Sequence, residues 1–454
     1  MTISLDGTLL PQSSAAPLKL LTIDHRPSTH LFQLSSFTFH LFSTFPTLHF
    51  LLPLPRRMKR APVTSPQDPL IHSLIRSPSS KRLFKRIVHL LYEDGPGGGP
   101  ATVERHIKYY YKYFDIVLLH GGRGKTVEYC QQEGVRTVQL PIDRIWKLCF
   151  GWIPLFYQLW KLKPDLLIVH GQWSAPLGAL VGKLAGVKRM IYIAHWPAFY
   201  TDWDLYRVIR NHIVEAIPVR LCNKVVCISP GNMYQYQIRF PKQLDKLIHI
   251  SNPFDLTDEP TQEDAAQLRT QFGWREDHIN VVAVGRIATQ KHFEWLLESW
   301  VIVQREVPEA RLWIVGGGEE EKRMHALAKE FEITSTCTFL GSQKNGLRFV
   351  NAADIVAMTT LYEGHANIPM EAHFCGKPIV ANAVDGVRES INDGKDGFLV
   401  DAGDTGTFSE RLITLCRSKE LREKMGAAGR KNVERFSMDK VMVRYSGIIQ
   451  EILG

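Results

Sequence analysis

The chain has 454 residues, a formal net charge of +9 and a pI near 9.1. That length exceeds what one hydrophobic core usually supports, so two domains with extensions are expected. A content of 44% hydrophobic and 22% charged residues is that of a folded globular protein and excludes a wholly disordered one. The basic surplus suits anionic partners such as nucleotide phosphates or acidic lipid headgroups, and charge alone is too weak a ground for a nucleic-acid partner. Seven cysteines form no CxxC pair, which argues against a zinc ribbon or a thioredoxin-like motif and fits scattered thiols in a cytoplasmic compartment.

Residues 1–80 differ from the rest. Before Met58 the only acids are Asp6 and Asp24, and the apolar stretch 31–55 is broken by Pro46, Pro53 and Pro55. The segment suits, in this order, a disordered or non-native extension, a targeting segment and a membrane anchor. A spanning helix needs a cleaner apolar run, and a signal peptide needs basic residues at its start.

From residue 86 short β-rich apolar runs alternate with helical stretches, the pattern of an α/β fold with parallel sheets. Strands are expected at 86–92, 114–119, 136–140, 165–170, 189–194, 224–228 and 247–250, with helices between them, among them 101–113 and 205–221. The stretch 257–277 is an interdomain connection with a lead-in helix. The alternation then restarts, with strands at 279–284, 311–315, 336–340, 354–358, 377–380 and 397–400 and helices such as 293–307 and 319–331. Two such runs imply two doubly wound domains, whose ligands sit at the carboxyl ends of the strands.

Two constellations fall at those ends. Gly285 and Arg286 follow one strand, and Lys291 comes five residues later. An Arg that can grip bidentately and a Lys point charge are placed for a diphosphate; ordinary solvated charges are the alternative. The second is Glu363-Gly364-His365-Ala366-Asn367-Ile368-Pro369-Met370-Glu371. Pro369 is suited to the first position of a helix, with a loop at 364–368 whose N–H groups can face a ligand. Glu371 then lies in the first turn, aimed into the same cleft, where a carboxylate can take vicinal sugar hydroxyls or simply favour the helix dipole. A Gly-rich loop at 95–100, including Gly97 and Gly98, follows the first strand and permits close approach of a phosphate or sugar. It is not a dinucleotide fingerprint, since position 100 is Pro. Gly121 to Thr126 suggests a phosphate-binding P-loop, but Leu119 stands where that motif needs Gly. The segment 144–163, with Trp146, Trp152, Trp160, Arg144, Lys147, Lys161 and Lys163, is either a peripheral membrane-facing patch or a helix packed under the first sheet.

The second half resembles the nucleotide-sugar-binding domain of the retaining glycosyltransferases of family 4, which have the GT-B fold. The stretches VGRIATQK at 284–291, LWIVGGGEEE at 312–321, FLGSQ at 339–343, AADIVAMTTLYEGHANIPMEAHFCGKPIVA at 352–381 and GVRESINDGKDGFLV at 386–400 run in the family's order. The resemblance implies two Rossmann-like domains facing across a cleft. It divides the chain into an extension at 1–80, an acceptor-binding domain at 81–256, a nucleotide-sugar-binding domain at 257–436 and a last helix at 437–454 that returns to the first domain. It implies that Arg286 and Lys291 bind the donor diphosphate. Glu371 would hold the ribose, and Glu363 the sugar with the backbone of Gly364, His365, Ala366 and Asn367. His195, which ends a strand, resembles a family histidine that contacts the donor sugar; a purely structural histidine is the alternative. SNPFD at 251–255 resembles the domain-boundary motif, with Pro253 where the family usually has Gly. The activity implied is metal-independent, retaining transfer from a nucleotide-diphosphate sugar, UDP-linked before GDP-linked, to a glycan or lipid-linked acceptor, with no bound cofactor. A non-catalytic nucleotide-sugar binder and an isomerase or phosphorylase on the same fold are the rival readings.

Overall fold

The described residues of the computed structural model are 84–92, 98–142, 148–195, 199, 205–257 and 259–454. The N-terminal extension lies outside them, as do Gly97, Arg144, Trp146 and Lys147. The described residues form two parallel sheets. The first contains β1 (Arg86–Leu91), β2 (Asp115–His120), β3 (Arg136–Gln139), β4 (Leu166–His170), β5 (Met190–Ala194), β6 (Lys224–Cys227) and β7 (Leu247–His249), in the order β3-β2-β1-β4-β5-β6-β7. The second contains β8 (Ile279–Val284), β9 (Ala310–Val315), β10 (Cys337–Phe339), β11 (Ile355–Met358), β12 (Ile379–Asn382) and β13 (Gly397–Val400), in the order β10-β9-β8-β11-β12-β13.

The inner strands of both sheets are buried on both faces, which is why they read as near-continuous Val, Ile and Leu runs, whereas the edge strand β3 is partly exposed. In each, strand order reverses beside the first strand: between β1 and β4, and between β8 and β11. The crevice at such a reversal is where open α/β sheets hold ligands.

On one face of the first sheet lie α1 (Gly98–Tyr110) and α2 (Lys125–Gln132). On the other lie α3 (Leu148–Leu162), α4 (Gly171–Leu184), α5 (Leu205–Leu221) and α6 (Pro230–Arg239). The second sheet is covered by α7 (Gln262–Phe272), α10 (Gly346–Ala352) and α11 (Asn367–Phe374) on one side. The other side carries α8 (Phe293–Glu306), α9 (Glu321–Glu330), α12 (Thr405–Arg417) and α13 (Lys419–Val433). The last helix, α14 (Met438–Leu453), returns to the first sheet and buries Val441, Met442, Tyr445, Ile448, Ile449 and Leu453 beside Ile87, Val103 and Ile107. At about 1.5–3 kcal/mol for each large apolar side chain covered, that contact is a firm anchor.

The chain therefore crosses between the halves twice, and the two crossings are tied together. The Phe254 amide donates to the Phe436 carbonyl at 2.7 Å, and the Met438 amide donates to the Phe254 carbonyl at 3.0 Å. Helix α11 starts at Asn367, two residues before the expected Pro369. Proline is tolerated there because amides of a first turn have no intrahelical partner anyway. Glu371 consequently lies beyond the first turn. Helix α1 likewise starts at Gly98 rather than at 101.

Candidate active site

The residues that follow β8 and β11 are stitched into one unit. Thr359 Oγ1 donates to the Lys291 carbonyl at 3.0 Å, and Gln290 Nε2 donates to the Tyr362 carbonyl at 2.9 Å. The Leu361 amide donates to the Gln290 carbonyl at 2.9 Å. These bonds fix Lys291 against Glu363, whose Oε1 accepts from Lys291 Nζ at 2.5 Å and from Thr360 Oγ1 at 3.2 Å. Both side chains of the ion pair are largely covered, at 20% and 12% exposure. The residue after Lys291, His292, takes the left-handed φ of 40°, a strained conformation that sits directly beside this pair.

Arg286 is exposed and free of ion pairs and hydrogen bonds among the described residues. Its backbone is held by the glycines of the next strand end. A Cβ on Gly316 would meet the Gly285 carbonyl oxygen at 1.8 Å, so only glycine lets these two strand ends lie together. Glu371 is half-buried and its carboxylate accepts no hydrogen bond among the described residues. Burial raises its pKa, opposed by the charges of Arg105 and Lys291.

The first half reaches this unit through its own strand ends. A Cβ on Gly364 would stand 2.3 Å from the His195 carbonyl oxygen, so the backbone after β11 lies directly against the residue after β5. Gly98, at the start of α1, has Asn367 Nδ2 as its nearest neighbour at 3.7 Å from the position of a Cβ, and Gly99 faces the His195 ring at 3.7 Å. The structure thus brings together Gly98, His195, Gly285, Arg286, Lys291, Glu363, Gly364, Asn367 and Glu371.

Two members of the expected set are turned elsewhere. The His365 ring is buried against Phe436, with burial pushing its pKa down to about 4, so its side chain points into the protein. The Ala366 amide already donates to the Gly386 carbonyl at 2.9 Å, which corrects the expectation that every amide from 364 to 367 is free for a ligand.

Sequence reasoning missed two further features. Arg105 on α1 donates to the Pro253 carbonyl at 2.9 Å, approaches Asn367 Oδ1 at 3.5 Å and lies over the Phe254 ring. It links helix, crossing segment and site. His195 heads a stacked row of imidazoles: its Nε2 meets His170 Nδ1 at 3.0 Å, and His170 Nε2 meets His89 Nδ1 at 2.9 Å. Burial pushes His195 down to about 4 and His89 to about 3, so the row is neutral at pH 7. Each contact holds one proton, so the tautomers are set together, and among the described residues the two ends of the row, His195 Nδ1 and His89 Nε2, are buried without a hydrogen-bond partner. Among the described residues, no group of three or more His, Cys, Asp or Glu side chains is placed to hold a metal ion.

Two family models match, "Glycosyltransferase Family 4" over residues 96–258 and "Glycosyl transferases group 1" over residues 264–432. The chain belongs to the group 1 glycosyltransferases. It is 25% identical over 290 residues to an uncharacterized glycosyltransferase of Haemophilus influenzae, covering 64% of this chain and 77% of that one. It is 28% identical over 287 residues to the lipopolysaccharide core biosynthesis glycosyltransferase LpsE of Rhizobium meliloti, covering 62% and 75%. The crystal structure of Anabaena HepE in complex with UDP superposes with a TM-score of 0.71 at 19% identity, over 81% of this chain and 100% of that one. The glycosyltransferase therefore has the two-domain GT-B fold, and its matched segments carry the strand ends described above.

Proposed function

We propose that this glycosyltransferase moves a hexosyl group from a nucleotide-diphosphate sugar, UDP-linked in preference to GDP-linked, to a hydroxyl of a glycan or lipid-linked acceptor, with retention of configuration and without a metal. The observation that carries this reading is the meeting of Arg286 and Lys291, after β8, with Glu363 and Glu371, after β11, at the strand-order reversal of the second sheet. The UDP bound by the structurally similar HepE and the glycan assignment of LpsE support the choice of donor and acceptor class.

Charge develops on the departing diphosphate as the glycosidic bond breaks. The exposed Arg286 and the largely covered Lys291 meet that charge, and a fixed cation acts most strongly where water is excluded. Lys291 is paired with Glu363. The ammonium has three N–H donors, so it can turn one to a phosphate and leave Glu363 Oε2 to accept from sugar hydroxyls. Glu371 takes the ribose hydroxyls, and His195, neutral and fixed in tautomer by His170, takes a hydroxyl of the sugar. Gly98, at the amino end of α1, faces the diphosphate from the other side of the cleft. The acceptor hydroxyl attacks on the face the diphosphate leaves, and a donor phosphate oxygen takes its proton.

Arg286→Ala and Lys291→Ala test this. Each is expected to lower turnover of a UDP-sugar by about 100-fold or more, as loss of one fixed charge-stabilising group does, with the fold retained by circular dichroism. Near-normal transfer by both variants contradicts the reading.

A further inference from the structure

Helices α3 to α6 form a layer over one face of the first sheet. Their inner sides fill its core with residues such as Leu155, Leu159, Ala179, Val219 and Tyr236. Their outer sides are apolar as well. Among the described residues, thirteen of the sixteen large apolar side chains that are exposed belong to these helices. They fall in stripes: Ile153, Tyr157 and Trp160 on α3, Leu180 and Leu184 on α4, and partners at the same helical spacing on α5 and α6. Trp160 is 56% exposed, Leu184 64% and Ile213, on α5, 61%. A helix apolar on both sides is normally covered on both sides. A patch spread over neighbouring helices marks an interaction surface rather than the scattered apolar residues of ordinary surfaces.

Charge decides what fits it. The four helices carry Lys161, Lys183, Arg207, Arg210, Arg220 and Arg239. Their one acid is Glu215, which is buried and accepts hydrogen bonds from Tyr192 and Tyr236. The exposed face therefore presents apolar and aromatic groups with cations and no carboxylate. A second copy placed symmetrically would set cation against cation. The expected polar helix surface is found on the second half instead, where α9 and α13 mix acids and bases freely.

We propose that the outer face of α3 to α6 docks on an anionic lipid bilayer, its Trp, Tyr, Leu and Ile side chains entering the interface and its Lys and Arg meeting the headgroups. Such contact is peripheral: among the described residues no helix is long and apolar enough to cross a membrane. Apolar burial and attraction to anionic lipid add in this mode of binding. The helices α4 and α6 start directly after β4 and β6, so the face runs up to the strand carboxyl ends. Docking then presents that end of the domain to acceptors carried in the lipid, a consequence that rests on the proposed transferase site.

Vesicle flotation of the full chain tests the docking, with phosphatidylcholine alone and with phosphatidylglycerol added. The wild type is expected to float with the anionic vesicles, to float poorly with neutral ones and to be released by salt. The variant Trp160→Glu/Leu184→Glu/Ile213→Glu changes outward side chains only. It is expected to float at least about tenfold less while binding UDP as the wild type does. Three results overturn the proposal: no flotation of the wild type, equal flotation of the triple variant, or a wild-type dimer by sedimentation that the triple variant abolishes without any flotation. UDP binding is read separately, so failure of docking and failure of the transferase site are told apart.

Discussion

The two halves share one architecture and present opposite surfaces. The second half carries mixed charges on its outer helices and gathers Arg286, Lys291, Glu363 and Glu371 at its strand ends. The first half keeps polar groups inside: four imidazoles, His89, His106, His170 and His195, and the carboxylate Glu215 are packed among apolar residues or at the cleft. Its outer helices are apolar. The difference teaches that the fold alone assigns no role. A doubly wound sheet offers strand ends for a ligand, and side-chain chemistry decides which half holds the charged donor and which half faces an apolar partner.

The sharpest way to break this comparison is at the contact between the halves. In Gly364→Ala the new methyl would stand 2.3 Å from the His195 carbonyl oxygen, so the halves must shift apart. A displacement near 1 Å at a reacting centre costs about 100-fold. Turnover is expected to fall by about that factor while UDP affinity, which the proposal assigns mainly to the second half, stays near the wild-type value. Unchanged turnover would show that this contact is not part of the working enzyme.

A smaller effect tests the buried acid of the first half. Burial pushes Glu215 up to about 7, opposed by the hydrogen bonds from Tyr236 and Tyr192. An acid whose folded pKa is raised binds its proton more tightly when folded. Its favourable contribution is therefore complete below the unfolded pKa, near 4.5, and is lost as pH rises through about 7. Thermal unfolding of Glu215→Gln should match the wild type more closely at pH 5 than at pH 8. At pH 8 the variant should be the more stable by roughly 1–3 kcal/mol, because it has no charge to bury. A variant less stable than the wild type at pH 8 would mean that the ionised carboxylate is well held by the two tyrosines.

Much of the scaffold is legible in the sequence. β8 and β13 run over 279–284 and 397–400 as their apolar runs predict, and α5 spans the predicted 205–221. Helix starts are less legible: Pro369 and the glycines after β1 permit a first turn without marking where it begins. The charged site residues were visible because a strand end followed by Arg, Lys or Glu is a local pattern. His195 was visible by the same rule, which applied to the end of β4 also points to His170. Arg105 had no such signal, since its partners Pro253 and Asn367 are distant in sequence. The apolar face was half legible. The segment 144–163 left a buried helix and a membrane-facing one as alternatives. The described helix α3 has two apolar sides, with Leu155 and Leu159 buried inward and Trp152 and Trp160 exposed outward. Periodicity tells which residues are apolar and does not tell which of them the fold covers.

Calorimetric titration of UDP tests the central claim most directly, with the wild type, Arg286→Ala/Lys291→Ala and Trp160→Glu/Leu184→Glu/Ile213→Glu compared side by side. Two lost charge-assisted contacts at about 1.5–3 kcal/mol each predict a fall in affinity of at least about 100-fold in the first variant. The second variant should bind UDP as the wild type does. Wild-type affinity in the Arg286→Ala/Lys291→Ala variant would contradict the assignment of the nucleotide to the second half's strand ends.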